Sequence, residues 1–557
     1  MKISNLHIEK FRSIKNIDLN FSQINALVGQ NNTGKSNILL ALQKILGSLW
    51  VTVNTFEEED VYFKDPEADI KISIDLEPAL KYQMLKEANP VEIKTLIFNY
   101  THYKIGERKG QRRLEKSCLD ARGKSPVVLA KPLRKGERAD YRPVMGIPQE
   151  ILEDIPIIYI GMNRELKDQL PSNRYSLLRR LLEDVDKDFQ SPKNVVKVKN
   201  ENGGEVQLSK SDQFKKLIEQ AMKLLRTDEF ESLEGSIKKN ALYQLGFDPV
   251  KDAKKLDFFF YPFSSADFYK SLKLFVKEDD FTIDATKLGG GFQNALVISI
   301  LKAFEERKKQ GAVFLIEEPE MYLHPQMQRS LYKTLREIGK TNQIIYTTHS
   351  PHFITIPEYN EIIRIIKNKN GTEKKVSSLS LDKTQKEKIR KELDPERNEL
   401  FFAKKLLLVE GDTEKLVFPE YAKKFNIDLD NLGATIVEVG GKKSLLEIAK
   451  IAISFEIPTG IIYDEDSSDF KSDEKEKEQQ YNKELESLKN PGASTEVWKF
   501  NKKYEDELKK FLGEQKYQKL CQKYSNYSPP IRQRLIAVDS ETGIPVFVQP
   551  ILEWLAK

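Results

Sequence analysis

The chain has 557 residues, which is enough for two or three domains that each bury a core of their own. Hydrophobic residues make up 39% and charged residues 31%, and the formal net charge is only +5, so binding to nucleic acid would have to come from local patches and not from a global field. Cys118 and Cys521 lie far apart, no apolar run approaches the roughly 18 residues that cross a bilayer, and residues 1–11 lack the apolar core of a signal peptide. We therefore expect a cytoplasmic protein with no membrane partner.

The first motif along the chain is a phosphate-binding loop between a strand and a helix. Strands are predicted over Lys2–Phe11 and Ile17–Leu27, and the apolar run Ile24–Val28 leads into the pattern G-x-x-x-x-G-K-S before a helix over Asn37–Leu49. In such loops the backbone N–H groups surround the phosphates, the lysine reaches the β- and γ-phosphates, and the final hydroxyl ligates Mg²⁺. The predicted nucleotide-binding residues are Gly29, Asn31, Asn32, Thr33, Gly34, Lys35 and Ser36, of which Ser36 is also a metal ligand.

The middle of the chain changes from strands to helices and back again. Alternation or apolar runs predict strands at Asp69–Leu76, 91–105 and Ile155–Ile160. From about residue 165 to about residue 274 the pattern is helical and charged, with Gly/Pro interruptions near 191–206 and 245–249, which predicts an inserted helical subdomain. Short buried strands are then predicted at Ala312–Ile316 and Gln343–Tyr346, with a helix between them.

Two acidic residues directly follow the first of these later strands. A strand that delivers adjacent carboxylates to its carboxyl end is the expected second half of a phosphate-loop site. Glu317 is predicted to hold Mg²⁺ and Glu318 to polarise the attacking water.

Two weaker signals complete the same set. A glycine-rich segment, 287–293, precedes a helix, so its backbone amides suit a phosphate, and Gly290, Gly291 and Gln293 are predicted to contact the nucleotide. His349 follows the strand Gln343–Tyr346, where a histidine can sense a γ-phosphate.

Along the chain the four motifs follow in the order phosphate loop, glycine signature, acidic strand and histidine strand. In that order they resemble the ABC-type ATPase heads of the RecF/SMC group, and residues 320–325 resemble the ExxLHP stretch of that family. In such heads the glycine signature of one subunit completes the nucleotide site of another. The resemblance therefore implies ATP as the nucleotide and a homodimer or higher homo-oligomer.

The last third of the chain predicts a second parallel sheet. After a polar, lysine-rich segment at 367–400, predicted to be a linker, strand–helix units begin at Lys405–Val409, Ala434–Val439 and Gly460–Tyr463. If these strands are parallel neighbours, their carboxyl ends share one edge, and the acidic residues that follow them meet there. Four carboxylates in one place repel each other unless hard cations such as Mg²⁺ or Mn²⁺ neutralise them. The predicted ligands are Glu410, Glu414, Asp464 and Asp466.

This acidic pattern resembles the TOPRIM domain, and an ABC-type head followed by residues 401–414 and 438–442 resembles the OLD (overcoming lysogenization defect) family. The layout is also similar to that of the nuclease subunit of the Gabija anti-phage system. The resemblance implies catalytic roles for Glu318, His349, Glu410, Asp464 and Asp466, and adds Glu505 as a further metal ligand. Relatives carry a C-terminal lysine, where this chain offers Arg532, Arg534 or Lys523, and Arg532 is taken as the substitute.

The predicted fold is α/β, an ABC-type P-loop ATPase domain with an inserted helical dimerisation subdomain, followed by a C-terminal TOPRIM domain. The resemblance implies an ATP-binding, Mg²⁺- or Mn²⁺-dependent DNA endonuclease or nickase, regulated by nucleotide, acting on double-stranded DNA in anti-phage defence, with a helicase-like partner left open. The alternative is a DNA-binding RecF/SMC-like ATPase of repair whose TOPRIM domain does not cleave. The predicted segments are 1–164 (ATPase), 165–275 (helical insertion), 276–366 (ATPase), 367–400 (linker) and 401–557 (TOPRIM).

Overall fold

A computed structural model describes the chain from residue 1 to residue 557, apart from residues 48–49, 86–87, 132–138, 156, 163–164, 174–175, 200–204, 259, 261–262, 279–280, 308–310, 383–394, 466–471, 491 and 493. The chain forms two compact units, one of residues 1–162 with 309–557 and one of residues 163–308. Among the helices of the described residues, none is long and apolar enough to span a membrane.

The first unit begins with an antiparallel sheet in the order β2-β1-β4-β5-β6, whose buried alternate residues supply much of the core. The predicted strand Ile17–Leu27 is in fact two strands in two different sheets, because Ser22 and Asn25 bend the chain between them. The Ser22 hydroxyl donates to the carbonyl of Ile24, and the Asn25 amide donates to the carbonyl of Ser22. The strands are β1 (Lys2–Phe11), β2 (Ile14–Asn20), β4 (Ile70–Tyr82), β5 (Val91–His102) and β6 (Arg112–Leu119).

The second sheet has the order β17-β16-β3-β15-β14-β9, and all of its strands except the edge strand β17 run parallel. Its central strands are buried throughout and consist mainly of apolar residues, as expected for a sheet covered on both faces. The strands are β3 (Ile24–Val28), β9 (Ile157–Ile160), β14 (Val313–Ile316), β15 (Gln343–Thr348), β16 (Ile362–Asn368) and β17 (Gly371–Lys375). Around the two sheets lie α1 (Lys35–Leu46), α2 (Gln149–Glu153), α9 (Pro325–Ile338) and a short pair of strands, β7 (Val127–Leu129) and β8 (Tyr141–Pro143).

Residues 163–308 are mainly helical, as predicted, but they also contain two β-hairpins that the sequence analysis did not identify. One hairpin occupies the segment where Gly/Pro interruptions were noted, and its strands pair antiparallel. The helices are α3 (Leu166–Gln169), α4 (Leu177–Phe189), α5 (Lys210–Leu224), α6 (Asp228–Gln244), α7 (Ser265–Lys270) and α8 (Gly290–Glu306), and the hairpin strands are β10 (Val195–Lys199), β11 (Glu205–Ser209), β12 (Phe275–Glu278) and β13 (Phe281–Asp284).

The C-terminal part of the first unit is a parallel sheet in the order β19-β18-β20-β21. Three of its strands are the predicted ones, and the fourth, at the edge, was missed because its half-exposed residues include charged ones. The strands are β18 (Lys405–Val409), β19 (Ala434–Glu438), β20 (Thr459–Asp464) and β21 (Thr495–Phe500), and the helices are α10 (Pro395–Asn398), α11 (Asp412–Lys424), α12 (Leu429–Leu432), α13 (Lys442–Ser454), α14 (Ser472–Ser487), α15 (Tyr504–Leu512), α16 (Glu514–Lys523), α17 (Pro529–Val538) and α18 (Gln549–Ala556).

The segment 367–400, expected to be a linker, contains regular secondary structure at both of its ends. It contains the end of β16, the whole of β17 and the short helix α10. The polar, lysine-rich composition did not reveal β17 because this strand lies at the edge of its sheet, where charged side chains are tolerated.

Candidate functional site: two strand edges

The phosphate-binding loop follows β3 and requires glycine at both of its motif positions. Gly29 has φ 147° and Gly34 has φ 102°, and side chains rarely adopt either angle. A Cβ atom on Gly29 would lie 2.1 Å from the carbonyl oxygen of Ile365, and one on Gly34 would lie 2.3 Å from Thr372 Oγ1. Gly34 also precedes the first residue of α1. The predicted loop residues Asn31 and Asn32 are exposed, Thr33 is buried, and Ser36 lies in the first turn of α1.

Three polar side chains outside the motif form a hydrogen-bond network with the backbone of this loop, and the sequence analysis identified none of them. Thr372 Oγ1 donates to the carbonyl of Thr33 at 2.8 Å and lies 2.8 Å from the hydroxyl of Ser13. Asn37 Nδ2 donates to that same Ser13 hydroxyl at 2.9 Å. Since the single Thr372 proton goes to Thr33, the Ser13 hydroxyl donates to Thr372. The turn between β1 and β2 and the edge strand β17 therefore fix the loop together.

The Lys35 side chain turns back onto the loop. Its Nζ donates to the carbonyls of Gly29 and Gln30 at 2.9 and 2.8 Å. Burial lowers the pKa of Lys35 to about 8, while the carboxylates of Glu318 and Glu320 act in the opposite direction. Lys35 therefore lies close enough to the carboxylates after β14 to interact with them electrostatically.

Three glutamates follow β14, and each has a different environment. Burial raises the pKa of Glu317, and hydrogen bonds from the Tyr159 side chain and the Met162 backbone oppose that shift. The backbone of Glu318 has φ 40°, and its N–H donates to both Oγ1 and the carbonyl of Thr347. A non-glycine residue held in this left-handed region is strained, a condition that clusters at active sites.

Glu320 has a role that the sequence analysis did not assign. Its Oε1 accepts hydrogen bonds from the backbone N–H groups of His349 and Ser350, at 2.5 and 3.1 Å. This carboxylate therefore fixes the loop after β15, which we call the histidine loop (residues 349–354).

His349 lies at the predicted strand end, with Nε2 3.8 Å from Glu318 Oε1. Burial, and then the positive charge of Lys35, lower the pKa of His349 to about 4. The imidazole is therefore neutral near pH 7 and can act there as a hydrogen-bonding group but not as a cation.

The glycine signature lies at the start of α8 in the 163–308 unit. Gly290 and Gly291 are exposed, and a Cβ atom on either would meet nothing within 4 Å. The Gln293 amide is already engaged: Nε2 donates to the carbonyls of Thr286 and Leu288, and Oε1 accepts from the Leu166 backbone N–H. In this structure Gln293 holds the loop that carries the glycines.

At the second sheet, the ends of β18 and β20 meet as predicted from their parallel order. Glu410 Oε2 accepts a hydrogen bond from the backbone N–H of Asp464 at 3.3 Å. Burial raises the pKa of Glu414 to about 7, and the charges of Glu505 and Glu410 add to that effect. Glu505 Oε1 in turn accepts from the Thr413 hydroxyl at 3.5 Å. The acidic residues predicted from three separate stretches of sequence are therefore neighbours, except that Asp466 lies outside the described residues.

This acidic edge (Glu410, Glu414, Asp464 and Glu505) suits hard divalent cations by its chemistry. Carboxylate oxygens are the ligands that Mg²⁺ and Mn²⁺ prefer, and a nearby cation favours the ionised form of a buried glutamate that lies beside two others. Within the parts of the chain that the structure describes, no group of three or more Asp, Glu, His or Cys side chains is arranged closely enough to hold a metal ion. The individual ligand assignments stay predictions.

A buried pair of tyrosines joins the two helices that carry Glu414 and Glu505. The hydroxyls of Tyr421 on α11 and Tyr504 on α15 lie 2.8 Å apart, and both side chains are fully buried. Burial raises the pKa of Tyr421 to about 12. This pair was not identified from the sequence, although Tyr504 directly precedes Glu505.

The basic residues proposed to replace the C-terminal lysine of relatives are engaged elsewhere. Arg532 Nη2 donates to the carbonyls of Ser525 and Tyr527. Arg534 pairs with Glu420 at 2.8 Å, and Lys523 pairs with Asp539 at 2.7 Å. The contacts found for these three side chains therefore lie away from the acidic edge, and the assignment of Arg532 as catalytic stays a prediction.

Comparison with known families defines the class of protein. Residues 1–354 match the model of an AAA ATPase domain, and residues 401–466 match the overcoming lysogenization defect protein-like TOPRIM domain. The chain is thus a P-loop ATPase joined to a TOPRIM domain, which confirms the predicted fold class.

Individual relatives place the chain more narrowly. It is 30% identical to the OLD nuclease of Thermus scotoductus over 499 residues, covering 86% of each chain. It is 26% identical to the Old nuclease of Escherichia phage P2, covering 83% of this chain and 77% of the relative, and 23% identical to the endonuclease GajA of Bacillus cereus, covering 79% and 71%. The chain belongs to the OLD nuclease family and is an ATPase-coupled nuclease, so the predicted family is confirmed.

Proposed function

We propose that this protein is a DNA endonuclease or nickase, dependent on Mg²⁺ or Mn²⁺, whose cleavage is regulated by ATP. The observation that carries the proposal is the hydrogen bond between Glu410 and the Asp464 backbone, which joins two acidic strand ends at one sheet edge. The names of the relatives, OLD nuclease and endonuclease GajA, support a nucleic-acid substrate. We propose double-stranded DNA as that substrate and anti-phage defence in the cytoplasm as the setting.

At the nucleotide site, some residues would bind ATP and others would take part in its hydrolysis. The loop amides and Lys35 bind the phosphates of ATP, and Ser36 and Glu317 would hold Mg²⁺. Glu318 orients the attacking water, and neutral His349 donates or accepts a hydrogen bond near the γ-phosphate. The glycine signature at Gly290 and Gly291 is proposed to contribute from a second subunit.

At the acidic edge, Glu410, Glu414, Asp464, Asp466 and Glu505 would hold the divalent metal. When bound, the metal supplies a nucleophilic water at neutral pH and stabilises charge on the phosphodiester oxygens. The carboxylates would hold the cations, and the hydrogen bond from the Asp464 backbone fixes the Glu410 side chain for that purpose. We propose that Arg532, or another basic side chain, stabilises the transition state only after leaving its present contacts.

A homodimer or higher homo-oligomer is part of the proposal. The described residues of the 163–308 unit expose several large apolar side chains, and we propose that some of them lie in the contact between subunits. Light scattering at several concentrations should give a mass above 64.4 kDa, and Leu224→Glu with Leu233→Glu should reduce it, whereas Val546→Glu in the C-terminal part should not. The exposed apolar side chains of the 163–308 unit include Leu224, Leu225, Leu233, Tyr243, Val250 and Phe281.

The experiment that tests the activity is a matrix of plasmid cleavage, with Mg²⁺, Mn²⁺ or chelator in one dimension and ATP, a non-hydrolysable analogue or no nucleotide in the other. Wild type should cut or nick plasmid in at least one metal condition, and Asp464→Ala/Asp466→Ala should not. The matched control is Asp430→Ala/Glu476→Ala, which removes two exposed carboxylates elsewhere in the same part of the chain. Intact plasmid with wild type under every condition would refute the proposal.

A second candidate function, a DNA-binding ATPase whose TOPRIM domain does not cleave, is favoured by one observation. Arg532, Arg534 and Lys523 all make their contacts away from the acidic edge. ATP hydrolysis stimulated by DNA, with no strand scission in any metal, is the result that would support this function. A helicase-like partner protein is compatible with either function and would be sought by co-purification.

A further inference from the structure

A two-residue connection links the nucleotide site to the acidic edge within the first unit. The residues are Arg397 and Asn398, which are adjacent on the short helix α10 just before the C-terminal sheet. The Asn398 side chain contacts the ATPase part, and the Arg397 side chain contacts the TOPRIM part.

Asn398 fastens α10 to the histidine loop. The side chain is 4% exposed, and its Nδ2 donates to the carbonyls of Pro351 and Ile354 at 2.8 and 2.9 Å. Its Oδ1 is buried and accepts no hydrogen bond from any described residue. A buried unsatisfied acceptor is costly, so an asparagine here is not explained by stability alone. The same loop begins with His349, which Glu320 holds through its backbone N–H.

Arg397 fastens the other side of α10 to the end of β19. Its Nε donates to the carbonyl of Glu438 at 2.9 Å, and its Nη2 lies 3.2 Å from one carboxylate oxygen of the same residue. The guanidinium also packs on the next turn, because a Cβ atom on Gly440 would lie 3.2 Å from Nη2. Arg397 therefore contacts the backbone and the side chain of Glu438 and also the turn that follows this residue.

That turn carries the connection to the acidic edge. The N–H of Val439 donates to the carbonyl of Val409 at 3.2 Å, and the N–H of Gly441 donates to the carbonyl of Glu410 at 3.2 Å. Gly440 and Gly441 have φ 76° and 118°, so the turn depends on glycine. The backbone of Glu410 is thus set by the turn, and its carboxylate is set by Asp464.

We infer that Arg397 and Asn398 are positioning residues that transmit the state of the histidine loop to the Glu410 carboxylate. The inference rests on the proposed control of cleavage by ATP and names the route of that control. A shift of the histidine loop on nucleotide binding moves the carbonyls of Pro351 and Ile354, which moves α10. The Arg397 guanidinium then moves the end of β19 and the turn that holds the Glu410 backbone.

The test measures backbone protection directly, without relying on cleavage. Hydrogen exchange of the full-length protein is followed by mass spectrometry in peptides that cover residues 405–415 and 434–445, with and without a non-hydrolysable ATP analogue. In wild type the analogue should change exchange in both peptides. In Arg397→Ala that change should be lost while the analogue still protects the peptide of the phosphate-binding loop. Coupling between two sites typically changes the affinity of a ligand by about fivefold or more. A structural change behind coupling of that size should alter the exchange of both peptides.

Two further variants separate positioning from simple structural damage. Arg397→Lys keeps a positive charge but offers no planar fork, so it should restore only part of the response. Asn398→Asp keeps the shape but removes the donor group, so it should lose the response as Arg397→Ala does.

The matched control is Lys375→Ala, which removes another ion pair between the ATPase and TOPRIM parts, to Glu456 at 2.6 Å, a pair that includes neither the histidine loop nor α10. This control should keep the full response.

Failure of the inference and failure of the proposed function give different results. If Arg397→Ala and Asn398→Asp keep the wild-type exchange response to the analogue, the route is wrong, whatever the plasmid assay shows. If wild type responds and the variants do not, the route is supported even where no condition cleaves plasmid. No response in wild type also overturns the inference.

Discussion

The carboxylate of Glu410 accepts a hydrogen bond from the backbone N–H of Asp464, a residue 54 positions later in the chain. The bond joins the carboxyl ends of β18 and β20, which are parallel neighbours in the C-terminal sheet. Because these ends lie at one edge, side chains from distant stretches of sequence meet where the proposed metal-dependent reaction would need them.

Glu410→Gln should abolish metal-dependent cleavage while leaving ATP hydrolysis intact. The amide keeps the size of the carboxylate and still accepts the Asp464 hydrogen bond, but it lacks the charge that a divalent cation requires. Mutation of a group that only supports a metal ligand typically lowers metal affinity or activity about 10- to 100-fold. Loss of a ligand itself should therefore lower the cleavage rate by at least that factor. The measurement is the initial rate of plasmid cleavage beside phosphate release, and Glu476→Gln serves as the control.

In metal-free buffer, Glu414 should make the protein less stable as the pH rises. Burial raises its pKa from 4.5 to about 7, so between these values the folded state holds a proton that the unfolded state has released. By linkage, the free energy of unfolding then falls with rising pH across this window. Thermal unfolding in chelator should therefore show Glu414→Gln more stable than wild type at pH 8, with little difference at pH 4.5. Adding Mn²⁺ should stabilise wild type more than the variant. Equal responses to pH would contradict the assignment.

Glu318→Gln should bind ATP normally and hydrolyse it poorly. A positioned general base contributes about 10²- to 10⁴-fold to rate, and the amide cannot accept the proton of the attacking water. The variant keeps the Thr347 hydrogen bonds to its backbone, so the fold of the strand end should not change. Phosphate release and titration with a fluorescent ATP analogue measure the two properties separately. Glu337→Gln, on the exposed side of α9, is the control, and hydrolysis at the wild-type rate would show that another residue activates the water.

Thr372→Val should weaken the phosphate-binding loop from outside its motif. The substitution keeps the shape but removes the hydroxyl that donates to Thr33, which leaves a buried carbonyl unpaired at a cost of about 1–3 kcal/mol. We expect lower stability in urea and weaker binding of the ATP analogue. Thr372→Ser, which keeps the hydroxyl, should retain both properties more nearly.

The tyrosine pair between α11 and α15 predicts a non-additive double mutant. Either Tyr421→Phe or Tyr504→Phe leaves one buried hydroxyl without its partner, at a cost of about 1–3 kcal/mol. The double variant should cost less than the sum of the two, because neither hydroxyl then remains to be satisfied. Urea unfolding of the four proteins of this cycle gives the coupling energy, and strict additivity would mean that the pair contributes nothing specific.

The sequence predicted the parts of the site that depend on short-range pattern. The strand–loop–helix context of Gly29–Ser36 and the apolar runs before Glu317 and Glu410 were sufficient to locate both edges. The OLD family and the fold class are confirmed, and the individual site residues and the domain boundaries stay predictions.

What the sequence did not reveal depends on contacts between distant segments. Thr372 lies in a polar stretch with no apolar periodicity, and only the pairing of β17 with β16 brings it to the phosphate-binding loop. Glu320 forms part of a recognisable motif, but its bonds to the histidine loop depend on the neighbouring positions of β14 and β15. The division of Ile17–Leu27 into two strands depends on two polar side chains, which a hydrophobic pattern does not register.

The support that β17 gives to the phosphate-binding loop sets a lower limit on the length of any isolated ATPase fragment. A fragment ended at residue 366 would lose Thr372, and with it the neighbour that contacts both Ser13 and the backbone of Thr33. Dissection of the two activities by truncation should therefore extend the first piece through Lys375, or weak nucleotide binding would be mistaken for a requirement for the TOPRIM domain.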